Sequence, residues 1–481
     1  MVRNSLLLLS IVFAPAVGAF FLPLAGRLSE QLRNYLAFTL VGISLVGSAL
    51  LLPTVITGQS VTYSLSFPFS FDISFVADSL AIFMAITSSL ISTIIIVYSF
   101  DYISHYENRN EYYLMVVLFL GAMMGIIFSS NLILLYTFWE ITGLASWRLI
   151  GFFRKKTDVL RADKAFLVTV FGALVMLLGF ISLYHDTGSL NLIAIKQALA
   201  TTHISNLTTL LLLFGILSKS ATLPFHTWLP DAGVAPSPVT ALLHAAVLVK
   251  IGVYVFARLF LVTMPINEVW QVIVPAVAAA SALISAGAAL IDTDLKRIIA
   301  YSTISQIAFI FFGLAIGSPI AIAGALLYIL MHGLAKAGLF MCAGIIEQNA
   351  KTKDITQMGG LIKTMPLTAF SFLICAFSVM GVPPLGGFFS KYLVFMGSIQ
   401  SKEWWIISFF LFGAFLTIIY LFRVFALVFL GEARVQAKEG SRIMVGSVLT
   451  LAILSLVAGI LIYYPASLAN LTVAQMLGGI K

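Results

Sequence analysis

Apolar residues run along this chain in blocks of about twenty, separated by short clusters of charge, Gly and Pro. The blocks fall at 5–25, 35–56, 73–100, 111–128, 131–153, 165–184, 207–230, 237–260, 268–290, 297–316, 320–346, 366–397, 404–430 and 442–464. Roughly 20 apolar residues cover the hydrocarbon core of a bilayer, so the pattern predicts an all-α polytopic membrane protein of about fourteen transmembrane helices. The first block is full length with no small-residue cleavage site behind it, and it reads as a retained helix. The seventh and twelfth blocks are interrupted alike, by Pro224 and Pro230 in one and by Pro383, Pro384, Gly386 and Gly387 in the other. Lipid cannot satisfy the backbone groups that a broken helix frees, so such breaks belong inside protein or beside a wet cavity. Gly/Pro-broken segments at matching places in two halves mark inverted repeats. The predicted organisation is three N-terminal helices in 1–110, repeats in 111–260 and 268–430, and a C-terminal helix in 431–481.

Composition sharpens this reading. With 60% apolar residues, 10% charged and a mean hydropathy of +1.06, the chain cannot be a soluble globular protein, and it has no room for a separate redox or nucleotide domain. The net charge of +8 points to loops on an anionic leaflet, with no nucleic acid implied. Cys342 and Cys375 lie in apolar runs with no CxxC. No cofactor fingerprint and no metal-ligand spacing is present, and neither a Rossmann nor a Walker motif occurs. Loops at 26–34, 101–110, 154–164, 291–297, 347–365 and 431–442 hold sixteen Lys and Arg, against Arg3, Lys196, Arg258, Lys402 and Lys481 on the other face. That asymmetry puts the first set, with Arg154, Lys155 and Lys156, in the cytoplasm and both termini outside.

Glu140, Lys219, Lys250, Lys336, Lys391, Arg148 and Arg423 remain within the apolar blocks, joined by His244 and His332. At 1.5 Å per residue, Glu140, Lys219, Lys250 and His332 fall about halfway through the bilayer. Glu140 and the four lysines would together cost roughly 12–17 kcal/mol facing lipid, so they must face one another or water. One glutamate cannot neutralise four lysines, and lysines that exchange protons are therefore expected. Each taken singly could be a structural ion pair, but a row across several spans reads as a proton relay. Lys336 follows His332 by four residues and shares its helix face. His244 and Lys250, six apart, fall about 120° out of line on an ideal helix. Arg148 and Arg423 read as anchoring residues, Arg148 able to snorkel. His226 reads as a loop or cavity residue, and His105, His185 and His203 as loop residues.

Five strings then resemble one family: FWEITGLASWRLIGF around Glu140, LSKSATLPFHTWLPDAGVAPSPVTALLHAAVLVKIGVY from Leu217, DTDLKRIIAYSTISQIAF from Asp292, MHGLAKAGLF from Met331 and GVPPLGGFFSKYLVF from Gly381. They are similar to the antiporter-like subunits of respiratory complex I, Mrp-type cation/proton antiporters and membrane-bound group 4 hydrogenases, over spans three to thirteen. The resemblance implies discontinuous seventh and twelfth helices and a proton route through the bilayer centre. It makes Glu140 the family's span-five glutamate and Lys219 the lysine of the broken seventh helix. His244 and Lys250 become the span-eight relay groups, His332 and Lys336 the span-eleven pair, and Lys391 the terminal residue on the twelfth helix. It also implies a bacterial or archaeal cell membrane, partner membrane subunits and a peripheral redox arm. Two departures, no lateral helix after span fourteen and Arg148 where an aliphatic residue is usual, favour an Mrp-like or hydrogenase-like subunit over the distal complex I subunit.

Two other readings are set beside this one. A sodium/proton antiporter subunit without a redox partner would need oxygen ligands. Glu140 is the only well-buried carboxylate expected, with Asp78 near the start of span three, so any sodium path would lie in a partner. A non-transporting structural subunit is the third reading.

Overall fold

A computed structural model describes residues 2–66, 72–200, 203–402 and 404–478. Lys481 lies outside them. Among the described residues eleven helices are long and apolar enough to cross a membrane, from Arg3–Leu28 to Arg442–Ile460. The three other expected positions hold the Leu132–Ile150 helix and two pairs of short helices. Spans eight, ten and eleven are almost wholly enclosed by their neighbours, whereas the first, second and sixth leave an apolar flank outward.

The expected start of span three is corrected. Val61–Ser66 and Asp72–Ala77 pair as an antiparallel hairpin, Val61 opposite Ala77, and the third helix runs from Ser79 to Tyr102. Asp78 precedes that helix and caps it, accepting from the Ala81 N–H at 2.9 Å, which satisfies one of the donors a helix start leaves open. Two short helices are also added, Leu192–Ala198 and Tyr463–Met476.

The breaks occur where the Gly/Pro punctuation put them. Asn206–Lys219 ends before Ala221, at φ 51°, and the chain resumes at Trp228. Pro366–Met380 ends at Gly381, at φ 85°, and Gly386–Ser398 follows. The two turns are built alike: Thr222 N–H bonds the Leu217 carbonyl at 3.0 Å, and Val382 N–H bonds the Phe377 carbonyl at 3.0 Å. A second likeness lies at the helix starts. Asn131, capping the fifth span, forms an antiparallel bridge with Asn191, and Asp294, capping the tenth, forms one with Asp354.

Span eight is not a continuous α-helix. Ser237–Ala241 leads into a π-helical turn at Leu242–Ala246, Val247 breaks the ladder, Leu248–Ala257 is regular, and Arg258–Thr263 is again π-helical. A π turn inserts a residue and frees or displaces carbonyls, so the six-residue separation of His244 and Lys250 does not obey the 100° rule.

Candidate functional site

The seven titratable residues singled out from the sequence all lie within the helix bundle, and six of them are buried. Lys219 is the last residue of its half-helix, 1% exposed, with its ammonium donating to the Trp139 carbonyl at 3.1 Å and lying 5.2 Å from the Trp139 ring centroid. Lys391 reaches back across the twelfth-helix break to the Val379 carbonyl at 2.7 Å, with the Phe309 and Tyr328 rings at 4.9 and 5.6 Å. The Lys391 amine thus sits at the C-terminal end of the Pro366–Met380 half-helix, where unpaired carbonyls and the helix dipole favour positive charge, whereas the Lys219 amine rests on a mid-helix carbonyl of span five. Lys250 donates to the Ala245 carbonyl in the π turn, and Lys336 donates to the Ile299 carbonyl at 3.1 Å and to Ser302 Oγ at 2.6 Å.

Among the described residues, none of these four lysines makes an ion pair with a carboxylate within 4.0 Å. Glu140 is half-buried, with one carboxylate oxygen enclosed and without a hydrogen-bond partner. It faces Lys219 across Gly143: a Cβ there would lie 3.6 Å from Lys219 Nζ and 3.9 Å from Glu140 Oε2. The expectation that Glu140 is the only well-buried carboxylate is corrected, since it is partly exposed and Asp158, 8% exposed, is the more buried.

His244 and Lys250 both face span eleven. The His244 ring is 4.4 Å from Phe340, and a side chain on Gly333 would collide with the Lys250 ammonium. The expected misalignment is removed by the π turn. His332 shares its helix face with Lys336, yet no hydrogen bond joins them. Both His332 nitrogens are buried without a partner, as are both of His244, while Lys336 turns towards span ten.

Residues 129–417 match the family described as NADH:quinone oxidoreductase/Mrp antiporter, TM, and residues 63–113 match the N-terminus of complex I chain 5. The chain belongs to the NADH:quinone oxidoreductase/Mrp antiporter family. It is 39% identical over 328 residues to a Na(+)/H(+) antiporter subunit of Alkalihalophilus pseudofirmus, covering 64% of this chain and 41% of that protein. It is 36% identical over 359 residues to NAD(P)H-quinone oxidoreductase subunit 5 of Paulinella chromatophora, covering 71% and 53%. The chain spans about half the length of the curated relatives it matches. A chain of the Mrp complex from Dietzia sp. shares the fold with a TM-score of 0.89 at 22% identity, covering 99% of this chain and 98% of that one.

Within this antiporter-family fold, several charges counted as loop residues are buried or paired. Arg258, expected on an outer loop, is 3% exposed and grips Asp78, with one contact at 2.8 Å, and Tyr254 Oη at 2.8–3.0 Å. Lys296, expected on a cytoplasmic loop, is 2% exposed, 2.8 Å from Glu347, and donates to the Ala235 carbonyl at 2.9 Å. Arg148 does not snorkel alone but shares Glu111 with Arg154. Arg423 caps the end of span nine, donating to the Leu290 carbonyl at 2.7 Å, which fits the anchoring role. His226 is half-buried beside the seventh-helix break, and His105, His185 and His203 are exposed.

The largest omission of the sequence reading is uncharged. Ser302 and Gln306 on span ten, Tyr328 on span eleven, and Thr417 and Tyr420 on span thirteen form a buried hydrogen-bonded chain that begins at Lys336. Its one sequence signal is a glutamine four residues after a serine inside an apolar helix, a polar pair on one face.

Proposed function

We propose that this chain is a proton-translocating subunit of a multi-subunit, energy-converting membrane complex of the Mrp or membrane-bound hydrogenase/complex I kind. The observation that carries the reading is the pairing of the four buried lysines. Each amine rests on a main-chain carbonyl, Lys336 also on a hydroxyl, and none on a carboxylate. A lysine held by neutral acceptors can lose its proton without stranding a buried anion, which a structural ion pair cannot do. The same carbonyls and hydroxyl stabilise the charged form, so both forms find partners.

Glu140 supplies the charge that sets Lys219. The two stand more than 4.0 Å apart and at most about 7.5 Å, the limit given by their two contacts with the Gly143 position. Closing that gap from its upper limit to 4 Å strengthens their attraction by about 2 kcal/mol at an effective dielectric of 20, enough to hold or release the Lys219 proton. The proton then moves by way of Lys250 and the histidines to Lys336 and Lys391. The twin helix breaks and twin capping bridges support inverted repeats at 111–260 and 268–430, and the loop charges support fourteen crossings with both termini outside. The partners are other membrane subunits, with any redox chemistry and any sodium path residing in them.

The test is proton uptake into inside-out vesicles carrying the assembled complex. Lys219→Ala and Glu140→Ala should each reduce driven uptake at least tenfold with assembly intact. Parental rates in both would overturn the reading. A requirement for added sodium would move it towards a sodium/proton antiporter.

A further inference from the structure

The chain of hydrogen bonds starting at Lys336 is continuous almost to Lys391. Lys336 Nζ donates to Ser302 Oγ at 2.6 Å, and Tyr420 Oη lies 2.7 Å from the same oxygen and 3.3 Å from Thr417 Oγ1. Gln306 Nε2 donates to Thr417 Oγ1 at 3.2 Å, and Tyr328 Oη donates to Gln306 Oε1 at 2.6 Å. The Tyr328 ring then lies 5.6 Å from the Lys391 ammonium. Every member is at most 1% exposed.

The links are chemically unequal. A hydroxyl donates and accepts through one oxygen, so it can take a proton on one side and give one up on the other. A carboxamide cannot: its donor nitrogen and acceptor oxygen are different atoms, and passing a proton through them leaves an imidic acid that must be reset. Gln306 is the single amide in the bridge, and it lies between the hydroxyls on the Lys336 side and Tyr328 beside Lys391. Its amide is also held in orientation, since Ser305 Oγ accepts from the same nitrogen at 3.4 Å.

We propose that Gln306 is the insulator of this bridge, joining the surroundings of Lys336 and Lys391 in one hydrogen-bonded network while blocking direct proton passage between them. Transfer from one lysine to the other is thereby confined to the moments when the relay groups themselves move, which keeps driven transport from short-circuiting. The inference rests on the proton-relay reading above.

A carboxyl at this position would remove the block. It can accept the Tyr328 proton on one oxygen while releasing its own to Thr417 from the other, the released proton passing by Tyr420 and Ser302 to neutral Lys336 while Tyr328 regains a proton from the Lys391 ammonium. Gln306→Glu in the assembled complex should therefore speed the collapse of an imposed pH gradient in resting vesicles at least fivefold. Tyr420→Phe or Lys391→Met added to it should return the collapse to the parental rate. Gln306→His, which supplies a relaying ring without a carboxylate, should leak in the same way and serves if the Glu protein does not assemble. Gln306→Met, which loses the same hydrogen bonds but cannot relay, should stay tight. Assembled Glu or His variants that hold the gradient as well as the parent, or a Met variant that leaks equally, would overturn the proposal. Such a result together with inactive Lys219→Ala would leave the relay reading standing, whereas an active Lys219→Ala would remove that reading itself.

Discussion

Gly143→Ala separates an electrostatic coupling of Glu140 and Lys219 from any other role these residues have. The added methyl makes only ordinary contacts, 3.6 Å to Lys219 Nζ and 3.9 Å to Glu140 Oε2, and no backbone atom crowds it. Alanine is also the better helix former by about 0.8–1 kcal/mol, so the protein should melt no earlier than the parent. The methyl occupies the space the two charges must cross to meet. Held apart at the upper limit of about 7.5 Å that the two contacts allow, they attract by about 2 kcal/mol at a dielectric of 20, against about 4 kcal/mol at 4 Å. The lost 2 kcal/mol corresponds to a factor of roughly thirty in the proton equilibrium of the pair. Driven proton uptake in vesicles should fall 10- to 30-fold while the melting temperature of the purified complex is unchanged or higher. Uptake at the parental rate would show that the approach of these charges does not drive release. A loss of uptake accompanied by earlier melting would show damage to the helix instead.

Three further outcomes follow from the buried ion pairs. Asp78→Asn leaves the Arg258 guanidinium, with a side chain only 4% exposed, without its anion; the cost should be about 3–5 kcal/mol, read as a clear drop in melting temperature. Burial alone would push the Asp78 carboxyl up, but the Arg258 charge, its hydrogen bonds and the Ala81 N–H together hold it below the usual carboxylate range. Its contribution is complete above the unfolded value near 4 and is lost as pH falls through the lower native one, so stability should decline below about pH 4, and the decline should be shallower in Asp78→Asn. Glu347→Gln strands Lys296, whose side chain is 2% exposed, and should cost about 3 kcal/mol by thermal denaturation, less if Lys296 can rotate towards solvent.

Much of this architecture was legible because the bilayer is a severe reader of sequence. Length and apolarity located the helices, and Pro and Gly located both breaks, since a freed carbonyl in lipid has no remedy but a protein or water partner. The hairpin before Ser79 was not legible, because only Asp78 separates Asp72–Ala77 from the apolar helix that follows. The π turn at Leu242–Ala246 leaves no signature in residue type, so helical arithmetic separated His244 from Lys250 when the fold puts both against span eleven. The burial of Arg258 and Lys296 was not legible from loop charges for one reason: their partners, Asp78 and Glu347, lie far off in sequence, and the pairing is what permits their burial. The row of lysines stood out by its cost in lipid. The Ser302–Gln306–Tyr328–Thr417–Tyr420 chain did not, because uncharged polar residues are cheap enough to be overlooked one at a time.

The central claim is that the buried lysines give up and regain protons, and arginine tests it most directly. Arginine keeps the positive charge in the same place but does not deprotonate in proteins. Lys219→Arg, Lys250→Arg, Lys336→Arg and Lys391→Arg, each assembled in its complex, should lose driven proton uptake in vesicles as fully as the alanine or methionine variants. Arginine variants that pump at the parental rate would mean that these residues serve as fixed charges, and that the proton travels another way.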